Sequence, residues 1–209
     1  MLFRSVRLVI RAFGAELCLV DGGSDQAWDK ADEIAASDPR KYFRIHQYRM
    51  KVNVETHYQT TGPEIWEQTG GKVDVFVATL GTTGTVVGCS RYLREKNPKV
   101  RIVSVEPTPR NEQEGIRNIT AQRTPEIWDP TSVDERMISE DEPSFRLARE
   151  LATKEGIFAG ISSGSALWGA IEQAQRLEKG AVVVIFPDSG SKYLSTKLFD
   201  FADDPQVHA

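Results

Sequence analysis

Residues 73–80 (V-D-V-F-V-A-T-L) form a near-continuous apolar run. It passes straight into a G-T-T-G-T loop at residues 81–85, with a helical pattern over 85–95 behind it. A run that is apolar at almost every position suits a strand covered on both faces, as in a parallel sheet between helices. Parallel strands need crossover connections, and the rest of the chain supplies them. Apolar runs at 100–105 and 181–186, with a shorter candidate at 133–138, read as further buried strands. Helical spacing covers 141–156 and 163–177, the latter with Leu167, Ala170, Ile171 and Ala174 on one face. The reading is an α/β fold, a mostly parallel twisted sheet flanked by helices.

The remaining segments are less periodic. Residues 2–13 carry a helical stripe that stops at Gly14, and 15–20 reads as a short strand. Ser24 or Asp25 is a candidate N-cap for an amphipathic helix over 26–37. Residues 42–46 suggest another strand, 46–55 are polar and irregular, and a short helix is expected near 63–68. Residues 107–132 are rich in Pro, Asn, Thr and charge, and show no period. An unstructured stretch of that length in a compact domain points to a functional loop. The tail beyond Phe201 reads as frayed.

Charge and cysteine usage narrow the function classes. The net charge is -4, and Lys and Arg are scattered, so there is no basic stripe for nucleic acid. No apolar run reaches the roughly 18–20 residues of a membrane span. The two cysteines and three histidines have no metal-ligand spacing. A reduced, cytoplasmic setting without a metal is expected.

The G-T-T-G-T loop has a chemistry of its own. A glycine loop between a strand and a helix N-terminus gathers unpaired N–H groups at one point, and the helix dipole adds partial positive charge. Gly81 and Gly84 allow close backbone approach, while Thr82, Thr83 and Thr85 offer hydroxyl donors. Such an array binds phosphate without Lys or Arg. The spacing is neither a Walker A loop nor G-x-G-x-x-G, and a tight strand–helix turn with threonine capping is the plain alternative. A second loop, Gly160-Ile161-Ser162-Ser163-Gly164-Ser165, also joins an apolar segment to a helix. Ligands of parallel sheets sit outside the carboxyl ends of strands, so both loops are expected at one crevice. Simple N-capping is the alternative for Ser162 and Ser163.

Several ordered motifs together resemble the cysteine synthase family. They are H-Y-Q-T-T-G-P-E-I-W at 57–66, G-T-T-G-T at 81–85, G-I-F-A-G-I-S-S-G at 156–164 and Y-L-S-T at 193–196. Thr82-Thr83 and Gly115-Ile116-Arg117 are similar to the B-type group. The resemblance implies the tryptophan-synthase-β fold type and pyridoxal 5'-phosphate (PLP) as cofactor. It also implies replacement of the β-substituent of an activated serine, O-acetylserine or O-phosphoserine, by a sulfide donor. Homodimers are usual in that family. Cystathionine β-synthase shares the fold and loops, and a non-catalytic phosphate-ligand module is the reading from another class.

On the matching positions, Gly81, Thr82, Thr83, Gly84 and Thr85 correspond to the loop that holds the PLP phosphate. Ser162 corresponds to the serine that hydrogen-bonds the pyridine nitrogen, and Gln47 to a glutamine at the substrate carboxylate. Arg117 falls where some B-type enzymes place an arginine near the substrate entrance. A solvated loop arginine is its plain alternative.

The chain departs from the pattern in two places. None of its ten lysines has the neighbours of the cofactor-bearing lysine, and the Asn-containing substrate loop does not occur. The expectation is therefore a C-terminal part of such an enzyme, inactive alone and with apolar surface exposed. Residues 1–40 would be a remnant of the small domain and 41–209 the large PLP-binding domain. Met50-Lys51-Val52-Asn53-Val54 stands where the family usually has two prolines, which predicts a looser segment beside Gln47.

Overall fold

The computed structural model describes residues 4–194 and 196–199. Chain contacts divide it into two compact units, residues 47–190 and residues 1–46 with 191–209.

The larger unit holds a four-stranded parallel sheet in the order β3-β2-β1-β4. The strands are β1 (Val75–Thr79), β2 (Arg101–Pro107), β3 (Glu135–Ser139) and β4 (Val182–Val184). All three pairings are parallel, with Val75 opposite both Arg101 and Val182. Seven helices accompany the sheet among the described residues. Of these, α1 (Arg4–Ala12) and α2 (Ser24–Ser37) lie in the smaller unit. The larger unit has α3 (Lys51–Gln59), α4 (Thr61–Gln68), α5 (Gly84–Lys96), α6 (Asp141–Glu155) and α7 (Ile161–Ala174).

Alternation along β1 divides the core. Phe76 and Ala78 pack with Ile65 of α4 and with Val86, Cys89 and Leu93 of α5. Val75 and Val77 face the other way, with Val103, Val105, Met137 and Ala170 of α7. Each such side chain removed from water contributes about 1.5–3 kcal/mol, so β1 is held from both sides. The expectation of a strand apolar at nearly every position is met. Cys89 is part of this packing, and burial pushes its thiol up to about 12. That makes it an apolar filler and not a nucleophile.

Four readings need correction. Residues 15–20 and 42–46 form no strand, because a strand needs a partner for its backbone groups and every described strand lies in the other unit. The cap of α2 is Gly23, whose N–H donates to Gln26 Oε1 at 2.9 Å, so neither Ser24 nor Asp25 caps it. Residues 51–55 are not irregular but open α3, with Met50 as N-cap. The last strand is half-buried, not fully buried, because among the described residues its only strand partner is β1. The tail reading falls outside the described residues.

The long segment predicted as a loop contains no helix or strand between Pro107 and Pro130. Polar side chains hold it instead. Glu106, fully buried at the end of β2, accepts from Ile119 N at 3.0 Å and from Arg136 Nε at 2.8 Å. Asn118 donates to Pro107 O and accepts from Thr120 N and Ala121 N. Gln113 accepts from Ser139 and Ser165 and donates to Asp141. In the smaller unit, Phe13, Phe43 and Ile45 are exposed. No helix among the described residues is long and apolar enough to cross a membrane.

Candidate functional site

Both predicted loops lie at the carboxyl end of the sheet. Residues 81–85 leave β1 there and run into α5. The chain past β4 continues the parallel pairing, with Ile185 N donating to Val77 O at 3.2 Å. Farther along, Asp188 O accepts from Gly160 N at 3.1 Å, which brings the start of α7 to the same end. The strand order reverses at β1 and β4, the position where open α/β sheets form their crevice.

The first loop is strained at one residue. Thr83, the N-cap of α5, has φ 72° and ψ -9°, and it is the only positive-φ non-glycine among the described residues. A β-branched residue in the left-handed region costs of order 1–2 kcal/mol. Its hydroxyl is buried with no hydrogen-bond partner among the described residues. The hydroxyl of Ser163, in the first turn of α7, is also buried and unpartnered. A buried, unpaired hydroxyl is costly, and one at a helix N-terminus matches the needs of an acceptor-rich group such as a phosphate.

The side of the cradle is built by α3. Asn53 Nδ2 donates to Thr82 Oγ1 at 3.1 Å and to the Gln47 carbonyl at 2.8 Å. Asn53 Oδ1 occupies the space that a Cβ on Gly84 would take, and the Val54 carbonyl does the same at Gly88. The two glycines of α5 therefore let α3 lie directly on its first turns. Lower on α3, His57 Nε2 lies 3.2 Å from Thr85 Oγ1, and Nδ1 lies 2.9 Å from Thr61 Oγ1. Burial lowers the pKa of His57, which favours the neutral ring.

The predicted substrate-side residues are tied to this loop, Gln47 through Asn53 and Arg117 through Leu80. Gln47 is exposed, and its neighbours are fixed: the Tyr48 carbonyl accepts from Glu126 N at 2.9 Å and from Ile127 N at 3.3 Å. Arg117 is 3% exposed, so it is no solvated loop arginine. Its N–H donates to the Leu80 carbonyl at the end of β1, and Nη1 donates to the Arg123 carbonyl at 2.9 Å. Its guanidinium lies 5.1 Å from the Tyr48 ring centroid. Ser162 is 2% exposed in the first turn of α7.

Asn53 and His57 were not singled out from the sequence. Their partners lie 29 and 28 residues away, and although both fall in segments quoted from the sequence, 50–54 and 57–66, neither was given a role. Asn53→Ala is expected to lower stability by about 1–2 kcal/mol, since it removes two hydrogen bonds and leaves the Gln47 carbonyl unpaired. The shift of the urea midpoint at constant slope checks this.

The family model described as "Pyridoxal-phosphate dependent enzyme" matches residues 4–188. A cysteine synthase of Aquifex aeolicus is 42% identical over 202 residues, covering 93% of this chain and 62% of that protein. Cysteine synthase B of Escherichia coli is 42% identical over 195 residues, covering 92% of this chain and 64% of that protein. In the crystal structure of a cysteine synthase from Entamoeba histolytica, the match has a TM-score of 0.87 at 32% identity. It covers 95% of this chain and 62% of that one. The chain thus spans under two thirds of the length of these relatives.

Proposed function

This chain belongs to the pyridoxal-phosphate dependent enzyme family, and from that premise we propose that its crevice binds PLP in the service of cysteine synthesis. Residues 81–85 would hold the phosphate, with backbone N–H groups of the α5 N-terminus and the hydroxyls of Thr82, Thr83 and Thr85 as donors. Ser162 would meet the pyridine nitrogen. When bound, the cofactor supplies an electron sink for removal of the α-proton and the β-substituent of an amino acid. A neutral serine hydroxyl suits that use, because it hydrogen-bonds the ring without forcing full protonation. The substrate class is an activated serine, O-acetylserine or O-phosphoserine, with a sulfide donor as second reactant and a homodimer as the working assembly. Gln47 is assigned to the substrate carboxylate and Arg117 to the border of the entrance. The cysteine synthases named above support the reaction class.

The observation that carries this reading is the buried Thr83 hydroxyl at the strained N-cap of α5, which has no hydrogen-bond partner among the described residues. The test compares PLP with pyridoxal, which lacks the phosphate, by fluorescence titration of the chain. PLP is expected to bind at least roughly tenfold more tightly, the worth of one charge-assisted hydrogen bond or more. Equal affinity for the two compounds overturns the assignment of residues 81–85.

A further inference from the structure

Thr85 has one hydroxyl proton, and two acceptors compete for it. One is His57 Nε2, 3.2 Å away. The other, on the reading proposed above, is the phosphate. A neutral imidazole has one donor nitrogen and one acceptor nitrogen, and the partner of one nitrogen decides the state of the other. His57 Nδ1 faces the Thr61 hydroxyl at 2.9 Å, at the opening of α4. The file Thr61–His57–Thr85 therefore has two polarities. If Nδ1 carries the proton, it donates to Thr61, and Thr85 spends its proton on Nε2. The Thr85 lone pairs would then face the anion. If Nε2 carries the proton, Thr61 donates to Nδ1, Nε2–H donates to Thr85 Oγ1, and the Thr85 proton is free.

We propose that His57 is a positioning residue that holds the Nε2–H tautomer and so aims the Thr85 hydroxyl at the phosphate. The inference rests on the PLP reading of residues 81–85. It also assigns a use to two polar side chains, on α3 and α4, that the phosphate loop alone leaves unexplained. The lowered pKa of His57 agrees with a neutral ring that must choose between tautomers. No covalent step is involved, and the anion selects one arrangement of existing hydrogen bonds.

The test is long-range proton–nitrogen correlation NMR on the histidine-labelled chain with PLP present. His57 is told apart from His46 and His208 by the signal lost in His57→Gln. The expected result is an unprotonated Nδ1 and a protonated Nε2 in the bound state. A bound state with Nδ1–H, or with both nitrogens protonated, overturns the inference. A second readout separates aiming from scaffolding. His57→Phe is expected to weaken PLP roughly tenfold while leaving pyridoxal unchanged, and His57→Gln, whose amide can still donate, is expected to recover most of the loss. Equal weakening of both compounds by His57→Phe assigns the residue to packing and sinks the proposal. If the unaltered chain binds PLP and pyridoxal equally, the phosphate reading itself fails and the relay falls with it. If PLP is preferred but the tautomer is wrong, only the relay fails.

Discussion

Gly164→Ala is expected to lower the melting temperature of the chain by roughly 6–12 °C. A methyl group at Gly164 would overlap the Ser144 carbonyl oxygen and lie 2.8 Å from the Ala148 nitrogen. Both obstacles are backbone atoms of α6, so no side chain can rotate away, and α6 and α7 must separate. Overpacking of this kind costs about 3 kcal/mol, the upper part of the usual range. A chain of this length loses about 2–4 °C per kcal/mol. The displacement falls on the first turn of α7, which carries Ser162 and Ser163, so PLP affinity is expected to drop in the same variant. Calorimetry and PLP titration of the purified variant check the two effects. A melting temperature within about 2 °C of the parent would show that α6 and α7 are not locked together at this position.

The same contact shows what the sequence makes legible. The strands and the two glycine loops could be read because their signal is local. An apolar run followed by glycine and hydroxyl residues has few other meanings, and β1, α5 and α7 formed close to where they were expected. Helix α3 escaped because none of its residues is buried and it carries no apolar stripe. It is held by the close approach of Gly84 and Gly88, a property of its partner helix. Residues 15–20 and 42–46 failed for the opposite reason: their composition suits a strand, but pairing is a non-local condition that composition does not encode. Arg117 illustrates the limit at the site. As a loop arginine it reads equally as solvated or functional, and only the Leu80 and Arg123 carbonyls and the Tyr48 ring decide that it is buried.

Thr83→Gly is expected to move stability and affinity in opposite directions. Without cofactor, the variant sheds the left-handed strain of a β-branched residue, of order 1–2 kcal/mol. It also removes a buried hydroxyl that has no hydrogen-bond partner among the described residues, which relieves about 1–3 kcal/mol more. Against this stand the loss of two buried carbons, Cβ and the methyl, about 1.6 kcal/mol, and the added freedom of glycine in the unfolded chain, about 0.5–1 kcal/mol. The balance is a gain of about 1 kcal/mol, or a melting temperature roughly 2–4 °C higher. With PLP the order is expected to reverse. The hydroxyl that is idle in the free protein is assigned to the phosphate, so its removal weakens PLP by roughly tenfold and leaves pyridoxal unaffected. Ligand stabilisation grows with the logarithm of ligand over Kd, so the variant gains less from a given PLP concentration than the parent does. Melting curves across a PLP series should therefore cross. A variant that melts below the parent without ligand would mean that Thr83 serves the fold, and an unchanged PLP affinity would remove its hydroxyl from the phosphate cradle. Strain retained at a residue whose hydroxyl makes no hydrogen bond among the described residues is what an anion-binding loop predicts.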